Sequence, residues 1–496
     1  MLNTKPYEFW FVTGSQHLYG EETLKEVEAH SREIAESLNE KLGSQHKIIF
    51  KTILTGSDSI AKLCLEANAT ENCAGIITWM HTFSPAKMWI AGLQQLNKPL
   101  LHLHTQYNRE IPWDTMDMDF MNTNQSAHGD REYGFIGARM QIKRKIVVGH
   151  WQDEDVVAKI VSWSRVAVAF IEGRSLKVAR FGDNMRNVAV TEGDKVEAQI
   201  KFGWEVHAYG IGDLVEEMEK VTEAQIDALM AEYEAEYDFA EDLLAPGPKR
   251  DAVREQAKIE IALEAFLVEG GFTAFTDNFQ ELHGMKQLPG LAVQHLMAKG
   301  YGFGGEGDWK TAALVRIMKI MAENKGTAFM EDYTYHLEQG NELILGAHML
   351  EVDPTIAATK PRVEVHPLGI GDREDPARVV FNGAAGSGLC ATVLDMGNRF
   401  RLLINEVEAV EITKPLPKLP VARVLWKPLP SLKESAEAWI LAGGAHHTSF
   451  SLEVTTEQLL DYAEMVGMET LIIDADTKIR DFKNQILWND IAWKLR

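Results

Sequence analysis

The sequence predicts an α/β chain. Two strand–helix series follow one another, and a β-rich part closes the chain. Three observations carry this. The first 110 residues alternate apolar runs with amphipathic helical patterns. A second such series starts near Leu176. From about Glu342 the texture changes to short strands with Gly and Asn at their turns. Strands alternating with helices imply parallel sheets with helices on their faces, whereas closely spaced short strands imply antiparallel β structure. A length of 496 residues, at roughly 150 per domain, fits about three domains.

The elements follow in order. Phe9–Thr13 is an apolar run ending in Gly14-Ser15-Gln16, and a polar helix pattern covers Glu21 to Lys41. Ile48–Leu54 is a strand, a helix starts at Ser57, and Ala74–Trp79 is the third strand. A helix from Ser84 and a strand at Pro99–His104 complete the first series. Ligands on such sheets gather at the C-terminal strand ends, where Gln16, His17 and Tyr19 fall. In the second series, Val178–Phe181 and Trp204–Tyr209 are strands, and an acidic helix follows. Ala245-Pro246-Gly247-Pro248 breaks it. Lys249–Val268 is a long amphipathic helix, and Phe272–Thr276 a strand. The β-rich part contributes 342–350, 362–367, 378–382, 390–396 and 400–412, with helices at Thr456–Val466 and the C-terminus.

Composition excludes several classes. Hydrophobic residues are 45% and charged residues 25%, so the chain is globular rather than disordered. The net charge of −23, with no clustered basic run, argues against nucleic acid as a partner. Much of that charge is local. Between Asp213 and Asp242 twelve acids face one lysine, Lys220, as on a solvated helix face. Cys64, Cys73 and Cys390 are too few and too scattered for a disulfide framework and read as reduced cytosolic thiols. The N-terminus has no apolar signal core. No window holds 18 apolar residues in a row, so no membrane span is expected.

Four places carry chemistry. Gly302-Phe303-Gly304-Gly305-Glu306-Gly307 matches a dinucleotide loop, but the segment before it, Gly290–Gly300, reads as helix rather than strand. A glutamate inside the loop would also repel a pyrophosphate. The glycines are better read as letting a ligand approach Glu306, with a plain structural turn as the alternative. Asp308 is placed to cap the helix that follows. Strand alternation at Ala328–Tyr333 sets Phe329, Glu331 and Tyr333 on one face and Met330 and Asp332 on the other. His348 ends an apolar strand. His446 and His447 follow Gly443-Gly444, and if extended they point to opposite faces, so one of them at most enters a given site. Two carboxylates and two imidazoles suit a divalent ion such as Mn²⁺, with Zn²⁺ also compatible. No HExxH, P-loop, G-x-S-x-G or EF-hand pattern occurs.

The opening Tyr7-Glu8-Phe9-Trp10-Phe11-Val12-Thr13-Gly14-Ser15-Gln16-His17-Leu18-Tyr19-Gly20 resembles the N-terminus of bacterial L-arabinose isomerases. Gly302–Asp308, the Glu331 strand, Gly346-Ala347-His348 and Gly443–His447 are similar to that family in order and spacing. The resemblance implies two Rossmann-like α/β domains, 1–175 and 176–325, then a β-rich, barrel-like C-terminal α+β domain, 326–496. It implies a cytoplasmic homo-oligomer, hexamer or tetramer, that converts L-arabinose to L-ribulose and, more slowly, D-galactose to D-tagatose. It implies Mn²⁺, replaceable by Co²⁺, held by Glu306, Glu331, His348 and His447, with the two glutamates as the acid/base pair. It further implies that Gln16, Leu18, Tyr19 and His128 reach substrate from a neighbouring subunit, and that Met185, Phe279 and Ile370 line the sugar pocket.

An ene-diol route needs a base and an acid at one site, which two glutamates in different environments can supply. The nearest rival is an isomerase of another aldose, such as L-fucose. A non-catalytic sugar-binding protein would not need two Glu and two His together. A nicotinamide oxidoreductase rests only on the glycine loop.

Overall fold

The computed structural model describes residues 1–43 and 45–495. The chain forms two compact units, Thr4–Ile171, and Glu172–Arg496 with Met1–Asn3. The stretches expected as central and C-terminal domains lie together in the second unit.

The first unit holds β1 (Glu8–Gly14), β2 (Lys47–Leu54), β3 (Cys73–Met80), β4 (Leu100–His104) and β5 (Lys145–Val148). They form one parallel sheet in the order β2-β1-β3-β4-β5. Every residue of β3 is buried, as a central parallel strand covered by helices on both faces requires. The helix Gly20–Leu42 returns the chain from β1 to β2 and buries Val27, Ile34, Ala35 and Leu38 along one stripe.

The second unit opens with β6 (Lys177–Phe181), β7 (Glu205–Tyr209), the two-residue β8 (Asp238–Phe239), β9 (Ala274–Asp277) and β10 (Gly302–Gly304). Four of these make a parallel sheet, β10-β9-β6-β7. The segment before the glycine loop is the helix Leu291–Ala298, as the sequence reading has it, and β10 is formed by the loop's own first three residues. It is only three residues long and pairs with β9 alone, too short for periodicity to reveal. The acidic stretch is also two helices, Ile211–Glu219 and Glu223–Glu236, rather than one. Thr222 and Gln225 form a reciprocal capping box that starts the second.

The remaining strands are β11 (Thr327–His336), β12 (Leu343–Ala347), β13 (Arg362–Val365), β14 (Ala377–Val380), β15 (Gly386–Asp395), β16 (Phe400–Val410), β17 (Arg423–Pro428), β18 (His447–Ser451) and β19 (Glu469–Ile473). β13 pairs with β14 and with β8 in a small sheet. The others run β15-β18-β11-β12-β17-β16-β19, and β15 pairs again with β16. That second pairing closes six antiparallel strands into a barrel, with β19 added in parallel on β16. Closure removes the free edges of the six. Its core includes Ala328, Met330, Ile344, Trp426 and Phe450. Gly346 is needed there, since a Cβ at that position would lie 2.0 Å from the Trp426 ring.

The helix Trp309–Met321 joins sheet to barrel. All its residues are buried, and it packs against β9 and β10 and against β11, β15 and β18. Its buried cations are all satisfied. Lys310 Nζ donates to the carbonyls of Val190, Thr191 and Glu192 at 2.7–3.1 Å. Lys319 pairs with buried Asp353. Charges this deep are tolerated only when paired in this way.

Candidate active site

The site grows from two facts of backbone geometry. β9 and β10 run parallel, so their C-terminal ends, Asp277 and Gly304, lie side by side, and the loop Gly305-Glu306-Gly307 leaves from there. Glu306 has φ +60°, a left-handed conformation costing a non-glycine residue roughly 1–2 kcal/mol. Hydrogen bonds hold it in place. Met185 N–H donates to the Glu306 carbonyl at 2.9 Å, and Gly307 N–H to the Asp277 carbonyl at 2.8 Å. Gly307 (φ +78°) abuts Asn184, whose Cα would lie 2.7 Å from an added Cβ.

The second fact is strand alternation on β11. Met330 faces the barrel core. Phe329 packs outside it, with Phe275 and Phe303. Glu331 shares Phe329's face, as alternation predicts. It pairs in register with Ala347 on one side and His447 on the other. His348 follows Ala347, so one side chain from each of three adjacent strands or strand ends converges. Phe329 sits under both imidazoles, at 4.7 Å from His348 and 5.0 Å from His447.

The four residues expected as ligands are thus brought together. His348 Nε2 lies 4.0 Å from Glu331 Oε2, and His447 Nε2 lies 3.8 Å from Glu306 Oε2. The rings of His348 and His447 are 5.9 Å apart. His446 also approaches, 3.5 Å from Glu306 Oε2. This corrects the expectation that one of the adjacent pair at most could enter. His446 precedes β18 and escapes strand alternation, so both rings turn to the same carboxylate.

The two imidazoles are held alike. His447 Nδ1 meets Asp308 Oδ2 at 3.2 Å, and His348 Nδ1 hydrogen-bonds Glu351. A carboxylate on Nδ1 fixes the tautomer and presents the Nε2 lone pair on the other side. Asp308 is itself fixed as the helix cap by Thr311 N–H and Oγ1. Although burial opposes it, the charges of Lys310 and His447 hold Asp308 far below the usual carboxylate range. Burial likewise raises Glu306, but contact with His446 and the charges of His447 and His348 outweigh it, so it stays below the ordinary glutamate value. Burial lowers His447, favouring the neutral ring. Burial would lower His348 too, but Glu351 outweighs that and raises it.

These residues fit a divalent ion. Among the described residues, Glu306 Oε2 and His447 Nε2 are buried and have no hydrogen-bond partner, although buried polar atoms are nearly always satisfied. Two oxygens and two nitrogens, each imidazole oriented through its far nitrogen, are a donor set for a metal of borderline hardness.

A cavity of about 220 Å³ opens beside the cluster and is lined by Glu306, Glu331 and His348. Phe279 and Ile370 line it. Met185 does not, and enters through its backbone hold on Glu306. Gln16, Leu18, Tyr19 and His128 belong to the Thr4–Ile171 unit. There, Gln16 precedes the turn His17–Tyr19 at the end of β1, Leu18 and His128 are exposed, and Tyr19 OH donates to Gln125 at 3.4 Å. Sequence reasoning missed Glu351 and Asp277 and saw Asp308 only as a cap. The i, i+3 spacing of His348 and Glu351 is the one signal that pointed to a pair.

Three family models cover almost the whole chain: the L-arabinose isomerase N-terminal domain (residues 3–175), central domain (177–324) and C-terminal domain (326–469). L-arabinose isomerase of Geobacillus stearothermophilus is 66% identical over 496 residues, all of both chains. That of Clostridium beijerinckii is 66% identical over 494 residues and that of Bacillus subtilis (strain 168) 61% over 496, again covering 100% of each chain. A likeness to the first ketoreductase of the tylosin PKS has a TM-score of 0.17 at 12% identity, covers 65% of this chain and 78% of that one, and carries no weight. Among the described residues no helix is long and apolar enough to cross a membrane. Matched from end to end at this level, the chain belongs to the L-arabinose isomerase family and is an isomerase.

Proposed function

We propose that the chain converts L-arabinose to L-ribulose, and D-galactose to D-tagatose more slowly, with Glu306 and Glu331 as acid and base. One observation carries this. Two imidazoles, each anchored through Nδ1 by a carboxylate, turn Nε2 toward two glutamates, and Glu306 Oε2 and His447 Nε2 have no partner of their own.

Glu306, Glu331, His348 and His447 would hold Mn²⁺, or Co²⁺ in its place. When bound, the ion supplies a Lewis acid that orients the substrate oxygens and stabilises enediolate charge. The chain's own residues move the protons. One glutamate, as carboxylate, takes the proton from C2 of the open-chain sugar and returns it to C1. The other passes the O2 proton to O1. Both transfers need a carboxyl within hydrogen-bond reach of the reacting atoms. Phe279, Leu288 and Ile370 keep the cavity wall apolar, which limits loss of the intermediate to water. Gln16, Leu18, Tyr19 and His128 act from a second copy of the chain in a hexamer or tetramer. The three cysteines are unpaired and buried, in keeping with a cytoplasmic enzyme.

The test is Glu306→Gln and Glu331→Gln, assayed by product analysis on L-arabinose, D-galactose and L-fucose. Turnover should vanish in both while circular dichroism stays unchanged. Near-native kcat in either would remove that residue from the acid/base pair, and faster conversion of L-fucose would move the substrate assignment. His447→Ala should weaken Mn²⁺ binding by calorimetry, and an equal loss in His446→Ala alone would exchange the two histidines.

A further inference from the structure

Asp277 ends β9 and lines the same cavity. The residue is 9% exposed. Its backbone is fully used, in the sheet and toward Gly307. Among the described residues its carboxyl makes no hydrogen bond and no ion pair. The charges nearest to it are Glu351 and His348. The carboxyl opens to the cavity, and a largely buried carboxyl that faces a cavity with no protein partner is placed to meet a ligand.

The other polar groups of the cavity are hydrogen-bonded or belong to the cluster of glutamates and histidines. Glu351 accepts from His348 Nδ1 and from Leu350 N–H. Glu306 and Glu331 face the histidines. Tyr333 OH points to Met349 Sδ at 3.6 Å. Much of the rest is apolar, including Leu282, Leu288, Pro289 and Leu368. A polyol in this cavity places C1 and C2 at the glutamates, and its remaining hydroxyls need a partner on the wall.

We propose that Asp277 hydrogen-bonds a sugar hydroxyl beyond the two reacting carbons and is a specificity-determining residue of the pocket. The inference rests on the sugar-pocket reading above. A carboxyl recognises a hydroxyl whether it donates or accepts, so the contact does not depend on its protonation. A site built to meet a hydroxyl rejects an analogue lacking it, because the buried polar group is then left alone.

The experiment compares Asp277→Ala and Asp277→Asn with the parent enzyme, all loaded with Mn²⁺. Substrates are L-arabinose and its 3-, 4- and 5-deoxy analogues. Asp277→Ala should lower kcat/KM on L-arabinose about 10- to 100-fold, the worth of one to two units of 1.4 kcal/mol. On one deoxy sugar that penalty should disappear. Asp277→Asn, which keeps an oxygen and a donor in the same place, should stay within about threefold of the parent. Mn²⁺ affinity without sugar should be unchanged in both. An equal penalty on all three deoxy sugars, an unchanged kcat/KM in Asp277→Ala, a failure of Asn to rescue, or a loss of Mn²⁺ affinity would each overturn the proposal. Should Asp277→Ala not fold, the pattern of Asp277→Asn and Asp277→Ser across the deoxy sugars decides in the same way. Active Glu306→Gln would defeat the acid/base reading while leaving these substrate comparisons intact, so the two failures are distinguishable.

Discussion

His295 and His447 are both fully buried, and each gives Nδ1 to a carboxylate that is itself out of water, Glu260 for one and Asp308 for the other. They differ on the far side of the ring. His295 Nε2 meets Glu236 at 3.1 Å, and Glu260 also accepts from Lys299 at 2.8 Å and Tyr233 at 2.5 Å. Every atom there has a partner. Among the described residues His447 Nε2 has none, and neither does the Glu306 oxygen in front of it. A satisfied network locks the helices 223–236, 248–270 and 291–298 together. An unsatisfied one leaves two valences open. The same residue pair thus ends in a closed or an open network according to what faces Nε2.

Four changes would break or sharpen that contrast. The largest effect belongs to the open network. Glu331→Gln should lower kcat on the order of 10²–10⁴-fold with melting temperature nearly unchanged, read by product assay and thermal scan together. Next is the closed network. Glu260→Leu strands the His295 and Lys299 charges and should cost about 3–5 kcal/mol of stability in urea titration, leaving calorimetric Mn²⁺ affinity intact. Equal damage to metal binding would erase the distinction. Third, Glu351→Ala should weaken Mn²⁺ binding about 10- to 100-fold by releasing His348 from its orientation.

The fourth is a pH effect. Burial alone would lower His295, but the hydrogen bond and ion pair with Glu260 outweigh it and raise it above its ordinary value of 6.5. Its contribution is therefore full below 6.5 and fades as pH rises through the folded-state value. Burial alone would raise Glu260, but His295 and Lys299 outweigh it and lower it below its ordinary 4.5, so its share is full above 4.5 and fades as pH falls through the folded-state value. The stability gap between the parent and His295→Gln, measured by urea titration, should be widest between these pH values and narrow on both sides. A gap independent of pH would mean that His295 is held neutral.

Much of the fold was legible because its signals are local. The helix Thr456–Val466 was bounded to the residue, and β16 within two at its end. β18 was not legible. His447-Thr448-Ser449-Phe450-Ser451 is polar in sequence yet wholly buried, because it runs between β11 and β15 with helix Trp309–Met321 packed against it. Nothing in four polar residues and one phenylalanine announces two neighbouring strands. Barrel closure through β15 and β16 was expected only from resemblance, since pairing of distant strands leaves no local pattern. In the site, resemblance supplied the ligand residues, while Asp277 and Glu351 stayed hidden. Their meaning lies in what the tertiary structure sets opposite them, not in spacing.

The backbone at Glu306 has a consequence for anyone who would make this protein tougher. A glycine there would adopt the same φ freely and would remove a half-buried carboxylate at once. Selection for heat resistance alone would favour that replacement, and on the acid/base role proposed for Glu306 each survivor would be a sturdier molecule without turnover. Screens for durable variants of this chain therefore have to score turnover at every round, because at this position endurance and work pull the sequence in opposite directions.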